Sequence, residues 1–244
     1  MTGRQVHVEH VMGTAVSFDV RDALQADIAI DRSCRWLHQV DATYSTYRED
    51  SVISRIGQGL LQIDDVDLGI RGVLDRCESL SEQTGGAFDV YATGPLDPSG
   101  YVKGWAIERA AGILESHDLR NFMINAGGDM VVRGRPQPGH EWRVGIRHPS
   151  DGQAFATVAE LRDCAIATSA RYERGDHVPF TGSGTAPDSV SVVADDLGVA
   201  DGWATAILAG GQPTLALAQR FPGIETFVII GDDTLRTADF PLAI

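Results

Sequence analysis

Ser189-Val190-Ser191-Val192-Val193-Ala194 runs within a few residues into Val199-Ala200-Asp201-Gly202-Trp203-Ala204-Thr205-Ala206-Ile207-Leu208, and Gly210-Gly211 follows. The first stretch is β-branched and continuous, which predicts a buried strand over 189–193. The second is rich in Ala and closed by glycine, which predicts a helix over 199–208. Upstream, residues 122–124, 129–133, 142–146, 154–161 and 164–168 read as short strands, with Gly127-Gly128 as a turn. Downstream, residues 226–230 give the last clear strand. Residues 175–188 read as an irregular loop.

The first half supplies helices. Apolar residues recur at near-helical spacing over 22–40, 66–81 and 102–116. A short helix over 51–56 is capped by Asp50 or Ser51. Residues 11–20 alternate as one strand, and 41–47 and 88–100 read as loop or extended chain. Helices and strands are interleaved, but the middle is a run of hairpin-like strands. That pattern predicts a mixed α/β (α+β) fold rather than a doubly wound one. With no internal repeat, linker or low-complexity tract, one domain over 1–244 is expected.

The 244 residues include 43% apolar and 22% charged ones, a composition that excludes a disordered chain. With 34 acidic and 20 basic residues the net charge is -14, so the chain repels nucleic acid and anionic lipid at long range. A phosphorylated ligand would need locally gathered positive charge or a metal cation. Cys34, Cys77 and Cys164 are far apart and form no CxxC, which predicts three reduced thiols and neither a disulfide framework nor a zinc site. Residues 1–10 hold no apolar signal core, and no window approaches the roughly 18 apolar residues of a membrane helix. Cytoplasmic residence, with no membrane anchor, is the expectation.

Four constellations could carry chemistry. Asp201 and Thr205 are four apart in a predicted helix and share a face, offering the hard oxygens that Mg²⁺ takes. The same spacing also fits a helix-end charge beside a packed Thr. Asp97-Pro98-Ser99-Gly100-Tyr101-Val102-Lys103 leads a loop into a helix start with a Lys, which is either an anion site or a solvated Lys. Asn125-Ala126-Gly127-Gly128-Asp129 reads as a tight turn. His177, beside Asp176 in a Gly- and Pro-bounded loop, is a base, a ligand or an exposed surface residue. P-loop, dinucleotide-binding, serine-hydrolase and zincin signatures are absent.

The order of these pieces resembles the FAD:protein FMN transferases, the ApbE family of flavin transferases. The matching segments are Met12-Gly13-Thr14; Ser45-Thr46-Tyr47-Arg48 with Asp50-Ser51-Val52-Ile53-Ser54-Arg55; Thr84-Gly85-Gly86-Ala87-Phe88-Asp89; and Val102-Lys103-Gly104-Trp105-Ala106. Then come Asn125-Ala126-Gly127-Gly128-Asp129, Ala167-Thr168-Ser169, His177 with Thr181-Gly182, and the 189–205 stretch. The resemblance implies a two-lobed, T-fold-related architecture with FAD in a cleft between lobes. It implies FAD contacts from Met12, Tyr47, Ala87, Phe88, Asp89, Asp97, Lys103 and Val178. It implies Mg²⁺ held by the Gly100 carbonyl, Asp201 and Thr205, and a catalytic role for His177. The implied activity is transfer of FMN from FAD to a Thr or Ser hydroxyl of an acceptor flavoprotein, with release of AMP. The His loop, His177-Val178-Pro179-Phe180-Thr181-Gly182, is two residues shorter than the family's and lacks its Asp. Two alternatives therefore stand beside transfer: an FAD pyrophosphatase and a non-catalytic FAD-binding protein.

Overall fold

A computed structural model of the chain describes residues 3–22, 26–171 and 178–243. Strands β1 (Gln5–Val11) and β2 (Thr14–Val20) form a hairpin, followed by helix α1 (Ala26–Tyr44) and the short α2 (Val52–Gly57). Helices α3 (Leu68–Gln83) and α4 (Ser99–Ser116) flank a long loop. Strands β3 (Phe122–Ala126), β4 (Asp129–Arg133), β5 (Trp142–His148), β6 (Asp151–Leu161) and β7 (Cys164–Ala170) follow. The chain ends with β8 (Ser189–Ala194), α5 (Leu197–Gly210), α6 (Gln212–Ala218), β9 (Glu225–Ile230) and β10 (Asp233–Arg236).

Eight strands make one sheet in the order β1-β2-β3-β4-β7-β8-β9-β10, and β5 with β6 makes a separate ribbon. Every pairing is antiparallel. The fold is thus mixed in its helix and strand content, not in strand direction. Alternation splits the sheet into two faces. Phe18, Ile124, Val131, Ala167, Val192 and Val228 face the helices. Val132, Ile166, Val193, Phe227 and Ile229 face the other way, against Trp142 and Val144 of the ribbon and Phe240. All six residues of β8 are buried, as a central strand covered on both sides requires. Each large side chain buried this way contributes about 1.5–3 kcal/mol.

Three expectations are corrected. The strand expected over 11–20 is broken at Met12-Gly13, which turn the chain between β1 and β2; both have positive φ, 54° and 71°. That is the geometry of a two-residue hairpin turn, but Met in place of Asn or Asp hides it in the sequence. Residues 41–44 are not loop but the last turn of α1, where buried Val40 and Tyr44 extend its apolar face. Residues 226–230 are not the last strand, because the fully exposed β10 pairs with β9. The short α6 had no periodic signal of sufficient length. Ser51 does cap α2, accepting the Ser54 N–H at 3.0 Å.

Helices α4 and α5 cross at unusually close range. A Cβ on Gly104 would lie 2.4 Å from the Leu197 carbonyl oxygen, so only glycine fits there. Trp36 Nε1 donates to the Ala106 carbonyl at 2.9 Å and Ser33 Oγ to the Ala110 carbonyl at 3.2 Å, fixing α1 against the other side of α4. Gly104→Ala should therefore destabilise the protein by about 1–3 kcal/mol despite the better helix propensity of Ala. Gly112→Ala, on the same helix with open space around the new methyl, should be neutral or stabilising by up to about 1 kcal/mol. Thermal melts of the two variants check this, and equal midpoints would contradict the close crossing.

Candidate active site

The crossing of α4 and α5 forms the floor of a cleft of about 1180 Å³. Its walls come from the Met12 turn, the 86–97 loop, the start of α4, the Gly127 turn and the end of β7. The volume suits a dinucleotide-sized ligand rather than a single small metabolite. All eleven described residues expected in the site line this cleft: Met12, Tyr47, Ala87, Phe88, Asp89, Asp97, Gly100, Lys103, Val178, Asp201 and Thr205. His177 lies outside the described residues.

Asp201 and Thr205 stand one turn apart on α5 and face the first turn of α4. Asp201 is 3% exposed, and its Oδ2 accepts the Gly104 N–H at 3.1 Å. In a regular helix that N–H belongs to the carbonyl four residues back, Gly100. Gly100 itself lines the cleft, and a carbonyl oxygen keeps a second lone pair even when it serves the helix. A Cβ on Gly100 would lie 3.1 Å from Thr205 Oγ1, so the backbone and the hydroxyl are neighbours. Thr205 Oγ1 is 3.4 Å from Ser169 Oγ. A carboxylate, a hydroxyl and the Gly100 backbone therefore converge from two helices, and their oxygens are a hard donor set of the kind Mg²⁺ takes.

Lys103 sits over this group. Its Nζ lies 3.4 Å from Asp201 Oδ2 and forms a tighter ion pair with Asp129. Asp129 is 1% exposed and its Oδ1 also accepts the Thr168 N–H at 2.9 Å. In sequence the segment holding Asp129 reads only as a turn. The turn is real, with Asn125 Oδ1 accepting the Gly128 N–H at 2.9 Å, and Asp129, which follows it, pairs with Lys103 of α4. Arg147 of β5 also lines the cleft, with no motif around it to mark it in the sequence. Lys103 and Arg147 are the cationic residues of the lining among the described residues; Asp89, Asp97 and Asp201 line it too, so the cleft carries no surplus of positive side chains.

The rim is looser. Tyr47 is 95% exposed, whereas Phe88 is buried. Met12 holds its left-handed backbone at the rim, at a cost of order 1–3 kcal/mol. Asp97 Oδ1 accepts the Ser99 N–H at 3.0 Å and Asp89 Oδ1 the Tyr91 N–H at 2.8 Å. These local bonds fix the 86–97 loop that enters α4.

A family model described as the ApbE family matches residues 12–96 and 92–228. The FAD:protein FMN transferase of Treponema pallidum is 33% identical over 165 residues, 59% of this chain and 46% of that protein. The Rhodobacter capsulatus protein of the same name is 27% identical over 213 residues, 81% of this chain and 37% of that protein. The chain thus spans less than half the length of these curated relatives. The flavin transferase ApbE of Vibrio cholerae has the same fold, with a TM-score of 0.84 at 22% identity over 98% of both chains. The ApbE protein of Thermotoga maritima superposes with a TM-score of 0.81 at 19% identity over 97% of both chains. With nearly its whole length matched in sequence pattern and in fold, the chain belongs to the ApbE family.

Proposed function

We propose that this protein transfers FMN from FAD to a Thr or Ser hydroxyl of an acceptor protein and releases AMP. The observation that carries this reading is the convergence of Asp201, Thr205 and the Gly100 backbone beneath Lys103, at the floor of a cleft large enough for FAD. The names of the curated relatives support it.

In this reading Asp201, Thr205 and the Gly100 carbonyl hold Mg²⁺. The ion, when bound, supplies charge neutralisation at a pyrophosphate. Lys103 and the positive end of the α4 dipole act on the phosphates. Asp129 restrains the Lys103 ammonium, so its position costs no reorganisation during the reaction. Ala87, Phe88 and Asp89, with Met12, Tyr47, Asp97 and Val178, bind the remainder of FAD. The acceptor hydroxyl oxygen forms a bond to the FMN-side phosphorus, and the bond from that phosphorus to the bridging oxygen breaks. AMP leaves with that oxygen, and the hydroxyl proton passes to His177. Such transfer is governed by positioning and charge stabilisation.

Three outcomes follow. Fluorescence titration should give tighter binding of FAD than of FMN, because the AMP half also makes contacts. Equal affinities would contradict the cleft assignment. Asp201→Asn should cut AMP release on the order of 10²-fold or more, as expected for loss of one charge partner of the transition state. The Asn oxygen can still accept the Gly104 N–H, so circular dichroism should show an intact fold. His177→Ala should cut FMN transfer by roughly 10²–10⁴-fold, the span of general base catalysis, with FAD affinity little changed. Mass spectrometry of a Thr-bearing acceptor decides the reaction. A covalent FMN adduct supports transfer; AMP and free FMN without acceptor would mean a pyrophosphatase; no AMP at all would mean a binding protein.

A further inference from the structure

On the far side of the hairpin from the cleft, the edge strand β1 and helix α1 face each other across a polar seam. His7 and Glu9 are two apart on β1 and point to the same face. Cys34 and His38 are one turn apart on α1. Glu9 Oε1 lies 2.8 Å from His38 Nε2, and Glu9 Oε2 lies 3.3 Å from His7 Nε2. The ligand atoms of His7, Glu9 and Cys34 all lie within 4.8 Å of one another. Such a spacing is not a zinc motif in the sequence, where the strand and helix residues stand 25 or more positions apart. It arises only when β1 docks on α1.

We propose that His7, Glu9, Cys34 and His38 form a tetrahedral site for a zinc-type transition-metal ion, separate from the cleft. Two imidazoles, a carboxylate and a thiolate are the donors such ions select, and none of the four is used by the proposed reaction. A tetrahedron with bonds of about 2.0–2.3 Å sets its ligand atoms roughly 3.3–3.6 Å apart. His7, Glu9 and Cys34 lie within 4.8 Å of one another, and His38, bonded to Glu9, turns in to complete the four. Both imidazoles and the carboxylate reach solvent, so an ion can enter, while Cys34 closes the bottom from within the core. One thiolate and one carboxylate balance a divalent ion, and the thiol proton leaves to solvent on binding. The bound ion ties the terminal strand of the sheet to the helix layer.

Cobalt(II) is the probe. The full chain, reduced and saturated with Mg²⁺, should on titration with Co²⁺ develop a thiolate-to-cobalt charge-transfer band and the strong visible absorption of tetrahedral cobalt. Cys34→Ser should abolish the charge-transfer band, and Cys164→Ser should leave it unchanged. His38→Ala, whose side chain is largely exposed, should weaken Co²⁺ binding by at least about 100-fold, the upper end of what losing a group that merely supports a ligand costs. That variant carries the test if Cys34→Ser does not fold. Weak octahedral cobalt spectra alone, a charge-transfer band that survives Cys34→Ser, or unchanged affinity in His38→Ala would each overturn the site and leave the seam a hydrogen-bonded contact only.

Discussion

The approach of the Gly104 backbone to the Leu197 carbonyl, where no Cβ can be admitted, governs the arrangement of the cleft floor. It brings α4 and α5 close enough for the Asp201 carboxylate to take a main-chain N–H of the neighbouring helix. Everything else at the floor hangs on that contact. Thr205, one turn on, meets the Gly100 backbone, and Lys103 is carried over Asp201. A buried carboxylate is stable only with partners, and here one of them is a backbone group whose position the helix fixes. The oxygen cluster is thus a property of two rigid helices rather than of loops.

The sheet supports this crossing from beneath. Its helix-facing side is filled by β2, β3, β7 and β8, while the opposite side is sealed by the β5 and β6 ribbon and Phe240. The pairing of β4 with β7 brings Asp129 beside Thr168, and the Thr168 N–H fixes the carboxylate that holds Lys103. A second set of contacts ties the helices to the sheet away from the cleft. Glu108 of α4 accepts the Leu197 N–H at 2.9 Å and pairs with Arg133 of β4. Burial raises its carboxyl above the ordinary range, and the Arg133 charge opposes that rise. Acid and base on neighbouring elements thus register α4, α5 and β4 together.

Most of the elements were legible from period and composition alone. The strands from β3 to β9 stand out because β-branched runs are separated by glycine and polar turns. Helices α1, α3 and α4 stand out because their apolar faces repeat at helical spacing. What escaped was short or disguised. The Met12-Gly13 turn directly precedes the Val16, Phe18, Val20 alternation and merges with it in the sequence, because its left-handed Met departs from usual turn chemistry. Strand β10 is exposed along its length and carries no alternation to read. Spacing alone puts Asp201 and Thr205 on one helix face; that they belong to a common site is implied only by the resemblance.

The sequence by itself determined most of the secondary elements, the acidic charge, the family pattern and many of the residues that line the cleft. Only the tertiary structure decided which of them touch. Asp129 holds Lys103 because β3 and β4 turn back at Gly127-Gly128, and 26 positions separate the pair along the chain. Cys34 meets His7 and Glu9 because an edge strand docks on a helix. Arg147 reaches the cleft from a ribbon outside the main sheet. Local periodicity says which face of an element is apolar, but not which distant face it will meet. That choice is made by packing, where strand register and the one close approach a glycine allows fix the distances between side chains.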